Sequence, residues 1–270
     1  MHKLTIFPLL ALLALASAAS AQPGSFIVSQ HGISVGKASF NFTASPSGYD
    51  STALVIISMK GLDYSLSKTE SLSTANHLSH VQLSAAVNGS AVNVTAEPEA
   101  KSGQTQGFLL TISANGHATT THLPAHTATV FLPDFDPGAL ETLLVLGVAR
   151  NSRDLWAIIP KKEGSIVPIQ LATYADEKGT LDGNPIVVHH LVATIAGSET
   201  DLFSGPENQL LQAEYPQWGY ALVRTGFVLT PPAKPGAPPT PPPGQSIAPP
   251  NNQAPEPTPD EIPAPPQPPD

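Results

Sequence analysis

The stretch His80-Val-Gln-Leu-Ser-Ala-Ala-Val87 is followed by Asn88-Gly89, and then by a second alternating run beginning at Ser90. Val81, Leu83, Ala85 and Val87 alternate with His80, Gln82, Ser84 and Ala86. Period-two alternation of this kind places apolar side chains on one face of a strand and polar ones on the other. Asn-Gly between two such runs is a strong hairpin signal, because both residues tolerate the positive φ of a type I′ turn.

The same pattern extends in both directions. Phe40 and Phe42 alternate with Ser39, Asn41 and Thr43, and Tyr64 and Leu66 with Asp63, Ser65 and Ser67. Phe108, Leu110 and Ile112 precede Ala114, and Val167, Ile169 and Leu171 alternate with Pro168 and Gln170. Ala114-Asn115-Gly116, Glu163-Gly164, Lys178-Gly179 and Asp182-Gly183-Asn184-Pro185 read as turns between runs. The chain is therefore expected to be mainly β: a curved antiparallel sheet or half-barrel of roughly ten to twelve strands. Few stretches could serve as crossover helices, which argues against a parallel α/β sheet.

One helix is expected, at about residues 137–149. Asp136 can cap it, and Pro137 suits the first helical position, where a missing N–H costs nothing. Leu140, Leu143, Leu144, Gly147 and Val148 follow helical spacing, and Val145 and Leu146 widen the apolar stripe. Such a helix is buried on most sides, as a plug on the concave face of the sheet.

The ends differ from this core. Met1-His2-Lys3, an apolar run and the small residues Ala19-Ser20-Ala21 read as a secretory signal peptide over residues 1–21. The apolar run is shorter than the ~20 residues needed to span a bilayer, so the mature chain is not expected to span a membrane. Residues 22–229 are expected to form a single β-rich domain. Of the 30 prolines, 18 fall within residues 231–270. Proline cannot donate to a sheet, and the segment has few apolar side chains. Residues 230–270 are accordingly expected to be a disordered proline-rich tail.

The chain has no cysteine, which rules out disulfides, cysteine-zinc sites and thiol catalysis. With the apparent signal peptide, this points to the bacterial periplasm or the extracellular space. The net charge is −9 and charged residues make up 12% of the chain. An acidic chain without a basic stripe argues against nucleic acid and anionic lipid surfaces as partners. Asn41, Asn88 and Asn93 stand in glycosylation acceptor triplets, which matter only in a eukaryotic secretory route.

Residues 136–227 carry, in order, Asp136-Pro-Gly-Ala-Leu140, Leu155-Trp-Ala-Ile-Ile-Pro160, Val187-Val-His-His-Leu191, Asp201-Leu-Phe-Ser204, Gln209-Leu-Leu211 and Arg224-Thr-Gly-Phe227. This series resembles uncharacterised exported bacterial β-sheet proteins, similar to the periplasmic lipoprotein-carrier architecture. The resemblance implies a curved antiparallel half-barrel closed by helix, with an apolar groove and no catalytic motif. Leu202-Phe203-Ser204 lacks the tryptophan and second acid of that pattern.

Several motifs suggest chemistry. Gly32-Ile-Ser34-Val-Gly36 matches a nucleophile elbow, making Ser34 a candidate catalytic serine. The elbow requires a preceding parallel sheet, whereas Lys37 onward alternates like a strand, so a glycine-flanked first hairpin is the reading preferred. His77 and His80, and His122 and His126, have spacings that would bring metal ligands together on a helix. Leu123-Pro124 argues against a helix for the second pair, and on a strand a spacing of three puts the first pair on opposite faces. His189 and His190 likewise point to opposite sides of a strand. Asp134-Phe-Asp136 lacks the rest of a calcium loop, and Asp176, Glu177 and Asp182 read as a solvated turn. Trp156 lies in an apolar strand and reads as core. Trp218, after Tyr215-Pro216-Gln217, is the candidate ligand-binding residue at the sheet rim.

Together these features describe an exported envelope protein, non-catalytic, binding an apolar small molecule or lipid in its curved sheet. The alternative is a structural or protein-interaction module whose tail engages an envelope protein. A serine hydrolase is the least favoured reading. No cofactor is implied.

Overall fold

The computed structural model describes residues 23–75, 77–101, 104–161 and 164–231. The proposed signal peptide and almost all of the proline-rich tail lie outside these residues. The chain divides into two compact units, Met1–Pro231 and Pro232–Asp270, and the described residues belong to the first.

The first half is a meander of long strands: β1 (Gly24–Gln30), β2 (Ile33–Ser45), β3 (Gly48–Met59), β4 (Leu62–Ser73), β5 (Leu78–Val87), β6 (Ser90–Lys101), β7 (Gln104–Ala114) and β8 (His117–Pro124). Each pairs antiparallel with the next. The Asn88-Gly89 turn forms as expected, with Asn88 at φ 49° and Gly89 at φ 81°. Phe40 on β2, Val55 and Ile57 on β3, Leu66 on β4 and Val81 on β5 point to the concave side and are buried. Ile56 and Ser67, one position away from them, face outward.

The second half begins with β9 (Ala128–Phe131), the helix α1 (Pro137–Leu144) and a π-helical turn over Val145–Ala149. It continues with β10 (Leu155–Ile159), β11 (Ser165–Thr173), β12 (Glu177–Leu181), β13 (Asn184–Ile195), β14 (Ser198–Ser204), β15 (Leu210–Tyr215), β16 (Tyr220–Arg224) and β17 (Phe227–Leu229). β16 pairs with β1, which continues the sheet through β15, β14, β13, β11, β10 and β9. All these pairings are antiparallel except β9–β10.

The sheet is thus large, curved and open, with β8 and β9 as its free edges, and is not closed into a barrel by hydrogen bonds. It overlaps itself instead: β9 lies against β5, and β11 against β8. Tucked between β5 and α1, β9 is buried at all four positions. A parallel pair covered on both faces reads as a continuous apolar run rather than an alternating one.

Seventeen strands are present among the described residues, more than the ten to twelve expected. The additional ones are short or lack alternation. β12 and β17 pair with each other and cover part of the outer face, where Val188, Phe203, Leu211 and Phe227 form a small second core. Lys178-Gly179, which reads as a turn, lies inside β12. A Cβ at Gly179 would come within 2.9 Å of the Phe227 ring and the Val228 carbonyl, so only glycine permits the two strands to approach.

The helix occupies residues 137–149 as expected, with its last five residues in the π form. Asp136 caps it by accepting hydrogen bonds from the N–H groups of Gly138 and Ala139. All eight α1 residues are buried against β2, β3, β9 and β15. Burial of a leucine contributes about 2 kcal/mol, so Leu140, Leu143 and Leu144 make α1 a strongly held plug. Gly147 lets the π turn approach β11, since a Cβ there would lie 2.3 Å from Leu171 Cδ1.

Candidate functional site

Because the strands run up and down in succession, the tips of the β1–β2, β3–β4, β10–β11, β13–β14 and β15–β16 hairpins gather at one end of the roll. Residues 132–136, leading from β9 to α1, turn inward from this end. A cavity of about 520 Å³ opens there, within the range of small-molecule sites. Its apolar wall includes Leu132, Phe135, Leu140, Ile195, Tyr215 and Trp218.

Phe135 is set unusually. Its φ is 57°, a left-handed conformation that bulky residues avoid at a cost of about 1–3 kcal/mol. Its ring is held by Tyr220 at 4.8 Å, Tyr215 at 5.8 Å and Tyr64 at 6.2 Å between centroids. The Tyr64 hydroxyl donates to the Asp134 carbonyl at 3.2 Å. Burial first, and then the Asp134 and Asp136 carboxylates, push the Tyr64 and Tyr215 hydroxyls above the ordinary tyrosine range. Both stay protonated at neutral pH.

Trp218 sits in the β15–β16 turn, 47% exposed, with its ring stacked on Tyr215 at 6.1 Å. The turn is anchored, because the N–H groups of Trp218 and Gly219 donate to the Tyr215 carbonyl and His31 N–H donates to that of Gly219. Lys161 Nζ lies 5.9 Å from the Trp218 ring centroid and 2.6 Å from Asp134 Oδ1. The cavity therefore combines a greasy aromatic wall with one marginal ion pair. Its lining residues include serine and threonine but no histidine, so the wall holds no imidazole base beside a hydroxyl.

A second polar constellation lies deeper. Lys68 and Glu70 on β4 and Asp136 before α1 are each 0% exposed at the side chain. Lys68 Nζ is 2.6 Å from Glu70 Oε2 and 2.6 Å from Asp136 Oδ2. Nearby, Glu141 on α1 accepts a hydrogen bond from Leu210 N–H at 2.6 Å. Burial raises the Glu141 carboxyl to about 7, although the Leu210 bond and Arg224 oppose the rise.

Neither Lys68 nor Glu70 is evident as a site residue from local sequence, although a signal exists. The alternation of Tyr64 and Leu66, carried two steps further, puts both charges on the buried face.

The other candidates are dispersed. Ser34 is exposed on β2, opposite Ser29 at a register shift in the β1–β2 pair. His77 lies just before β5. His80 is 3.9 Å from Glu97, and His122 3.0 Å from Glu99, on the outer face. His126 lies beyond β8, its ring stacked at 3.6 Å on Trp156, which is half-buried and donates to Asp154. His189 meets Asp176 at 2.9 Å. His190 meets Asp201 at 2.8 Å and Glu177 at 3.4 Å, with its ring on Phe203. Among the described residues, no group of three or more His, Cys, Asp or Glu is placed to hold a metal ion. No helix among them is long and apolar enough to cross a membrane.

No protein-family profile matches the chain, and no curated protein does. Among solved structures it is similar to a β-barrel-like protein of a domain of unknown function, DUF1849, from Brucella abortus. The TM-score is 0.52 at 10% identity, covering 78% of this chain and 98% of the other. This likeness is one of fold alone, a β-barrel-like architecture.

Proposed function

We propose that this is an exported, non-catalytic binding protein that takes an apolar or lipid-like molecule at the hairpin end of the roll. The observation that carries the reading is the 520 Å³ cavity walled by Phe135, Tyr215 and Trp218. On this reading the ligand binds at the rim above the helix rather than in the concave sheet, which α1 fills. The β-barrel-like fold is compatible with ligand binding, and the likeness to lipoprotein carriers noted in the sequence agrees with it. A ligand with an apolar body would cover the aromatic wall and leave its polar end near Lys161 and Asp134.

Native mass spectrometry of protein from a periplasmic preparation, before and after solvent extraction, tests this reading. An added mass that disappears on extraction supports it. A bare mass in both samples, with no uptake of a fluorescent fatty-acid probe, would contradict it. An N-terminus at Gln22 in the same sample would support export.

A structural or interaction module is the second reading, favoured by the complete burial of α1. Partner capture that is lost on deleting residues 231–270, with no ligand retained, would select it.

A further inference from the structure

Lys68, Glu70 and Asp136 bring together an amine, a carboxyl group within bonding reach and a second carboxyl group to move protons. Lys68 Nζ donates to Glu70 Oε2. It also lies 2.6 Å from Asp136 Oδ2 as a buried ion pair, off ideal hydrogen-bond alignment. Glu70 Oε1 and the hydroxyl of Ser51, its cross-strand neighbour, have no hydrogen-bond partner. Buried polar atoms are ordinarily satisfied, whereas Glu70 Oε1 and the Ser51 hydroxyl beside this lysine are not. Meanwhile Asp136 Oδ1 accepts from two backbone N–H groups, of Gly138 at 2.9 Å and Ala139 at 3.3 Å. These two bonds cap α1, and the same N–H groups would meet negative charge that gathers on Oδ1.

We propose that Lys68 and Asp136 condense to an intramolecular isopeptide bond, with Glu70 as the proton carrier. Lys68 begins as an ammonium and Asp136 as a carboxylate. The ammonium passes a proton by way of Glu70 to Asp136 Oδ2, and the freed amine attacks Cγ of the neutral carboxyl group so formed. Negative charge gathers on Oδ1 under the N–H groups of Gly138 and Ala139. The Nζ–Cγ bond forms and the Cγ–Oδ2 bond breaks. Two protons from the original ammonium reach Oδ2 by way of Glu70, and Oδ2 leaves as water. Glu70 ends in the protonation state in which it began, and no oxidant or cofactor is required.

The environment favours each part. In water the two ions are too well solvated to condense. Burial removes that solvation, and the amide replaces two buried charges with a neutral group. Fixed juxtaposition supplies the effective concentration that a bimolecular reaction lacks. Burial also holds the Glu70 carboxyl above its usual range, although Lys68 opposes this, which makes it a better proton acceptor than an exposed glutamate. Burial alone would lower Lys68, but Asp136 and Glu70 outweigh it and keep the ammonium charged. Glu70 Oε2, 2.6 Å from Nζ, is placed to take the proton that frees the amine. In a chain without cysteine, the bond would tie β4 to the start of α1 and pin the plug.

Intact-mass measurement of the purified full-length protein, followed by tandem mass spectrometry of its digest, tests the proposal. The wild type is expected to be lighter by one water than its sequence requires, with a branched peptide joining Lys68 and Asp136. Glu70→Gln is expected to keep its full mass while matching the wild type in circular dichroism. A wild-type protein of full mass overturns the proposal whether or not any variant folds. So does a water loss that maps elsewhere, such as to a succinimide at Asp182-Gly183. Loss of water in Glu70→Gln would overturn the role given to Glu70.

Discussion

Lys68–Asp136 and Lys161–Asp134 are both separated by 2.6 Å, yet the side chains of the first pair are 0% exposed and those of the second 55% and 36%. The first sits inside the roll against the N-terminus of α1, and the second at the margin of the rim cavity. An exposed ion pair gains little over hydration, whereas breaking a buried one strands a charge in a medium that cannot solvate it. The interior pair therefore belongs to what holds the plug in place. The rim pair can rearrange at small cost, as the proposed ligand would require. Surroundings, not contact distance, separate the two pairs.

The strongest way to test this contrast is Lys68→Ala, which removes both the buried amine and any bond it makes to Asp136, leaving Glu70 and Asp136 buried without a partner. Stability to urea should fall by about 3–5 kcal/mol, and a loss below about 1 kcal/mol would remove the distinction between the pairs. Leu143→Ala probes the same interior without charge. It should cost about 3 kcal/mol through the cavity left in the plug, again read from the urea midpoint.

Glu141 sharpens the comparison through pH. Its carboxyl goes from an ordinary value of 4.5 to about 7 in the folded chain, so the folded state holds the proton more tightly. The resulting stability is fully present below about pH 4.5 and is lost as the pH rises through about 7. Glu141→Gln keeps an acceptor for Leu210 N–H and should flatten that slope, by at most about 3 kcal/mol across the window. Urea midpoints of both proteins at about pH 5 and about pH 8 would show it. The smallest effect belongs to Lys161→Ala, which should change stability by less than about 1 kcal/mol while altering the uptake of a probe at the rim.

The meander was legible because its strands have one buried and one wet face, and the solvent difference writes itself into residues such as Val81 and Leu83 against Gln82 and Ser84. The helix was legible from Asp136, Pro137 and the leucine spacing, all local signals. β9 was not, since Ala128-Thr-Val-Phe131 is buried on both faces and has no alternation to show. β12 and β17 escaped because they pair across the chain and derive their cover from Phe227 and Val188, far apart in sequence. Trp218 could be placed at a rim from its turn, but the cavity wall is assembled from residues spread between Leu132 and Trp218. Lys68 and Glu70 lay on a readable face. What hid them is that their partner, Asp136, is brought near only by the completed roll.

The most direct test of rim binding uses the two tryptophans, Trp156 and Trp218. In a Trp156→Phe background, Trp218 is the sole indole reporter, and a fluorescent fatty-acid probe can be titrated against it. The account predicts saturable quenching or energy transfer from Trp218, and loss of probe uptake when Trp218 is changed to Ala in the otherwise wild-type protein. No saturable signal, or uptake unchanged by Trp218→Ala, would contradict it.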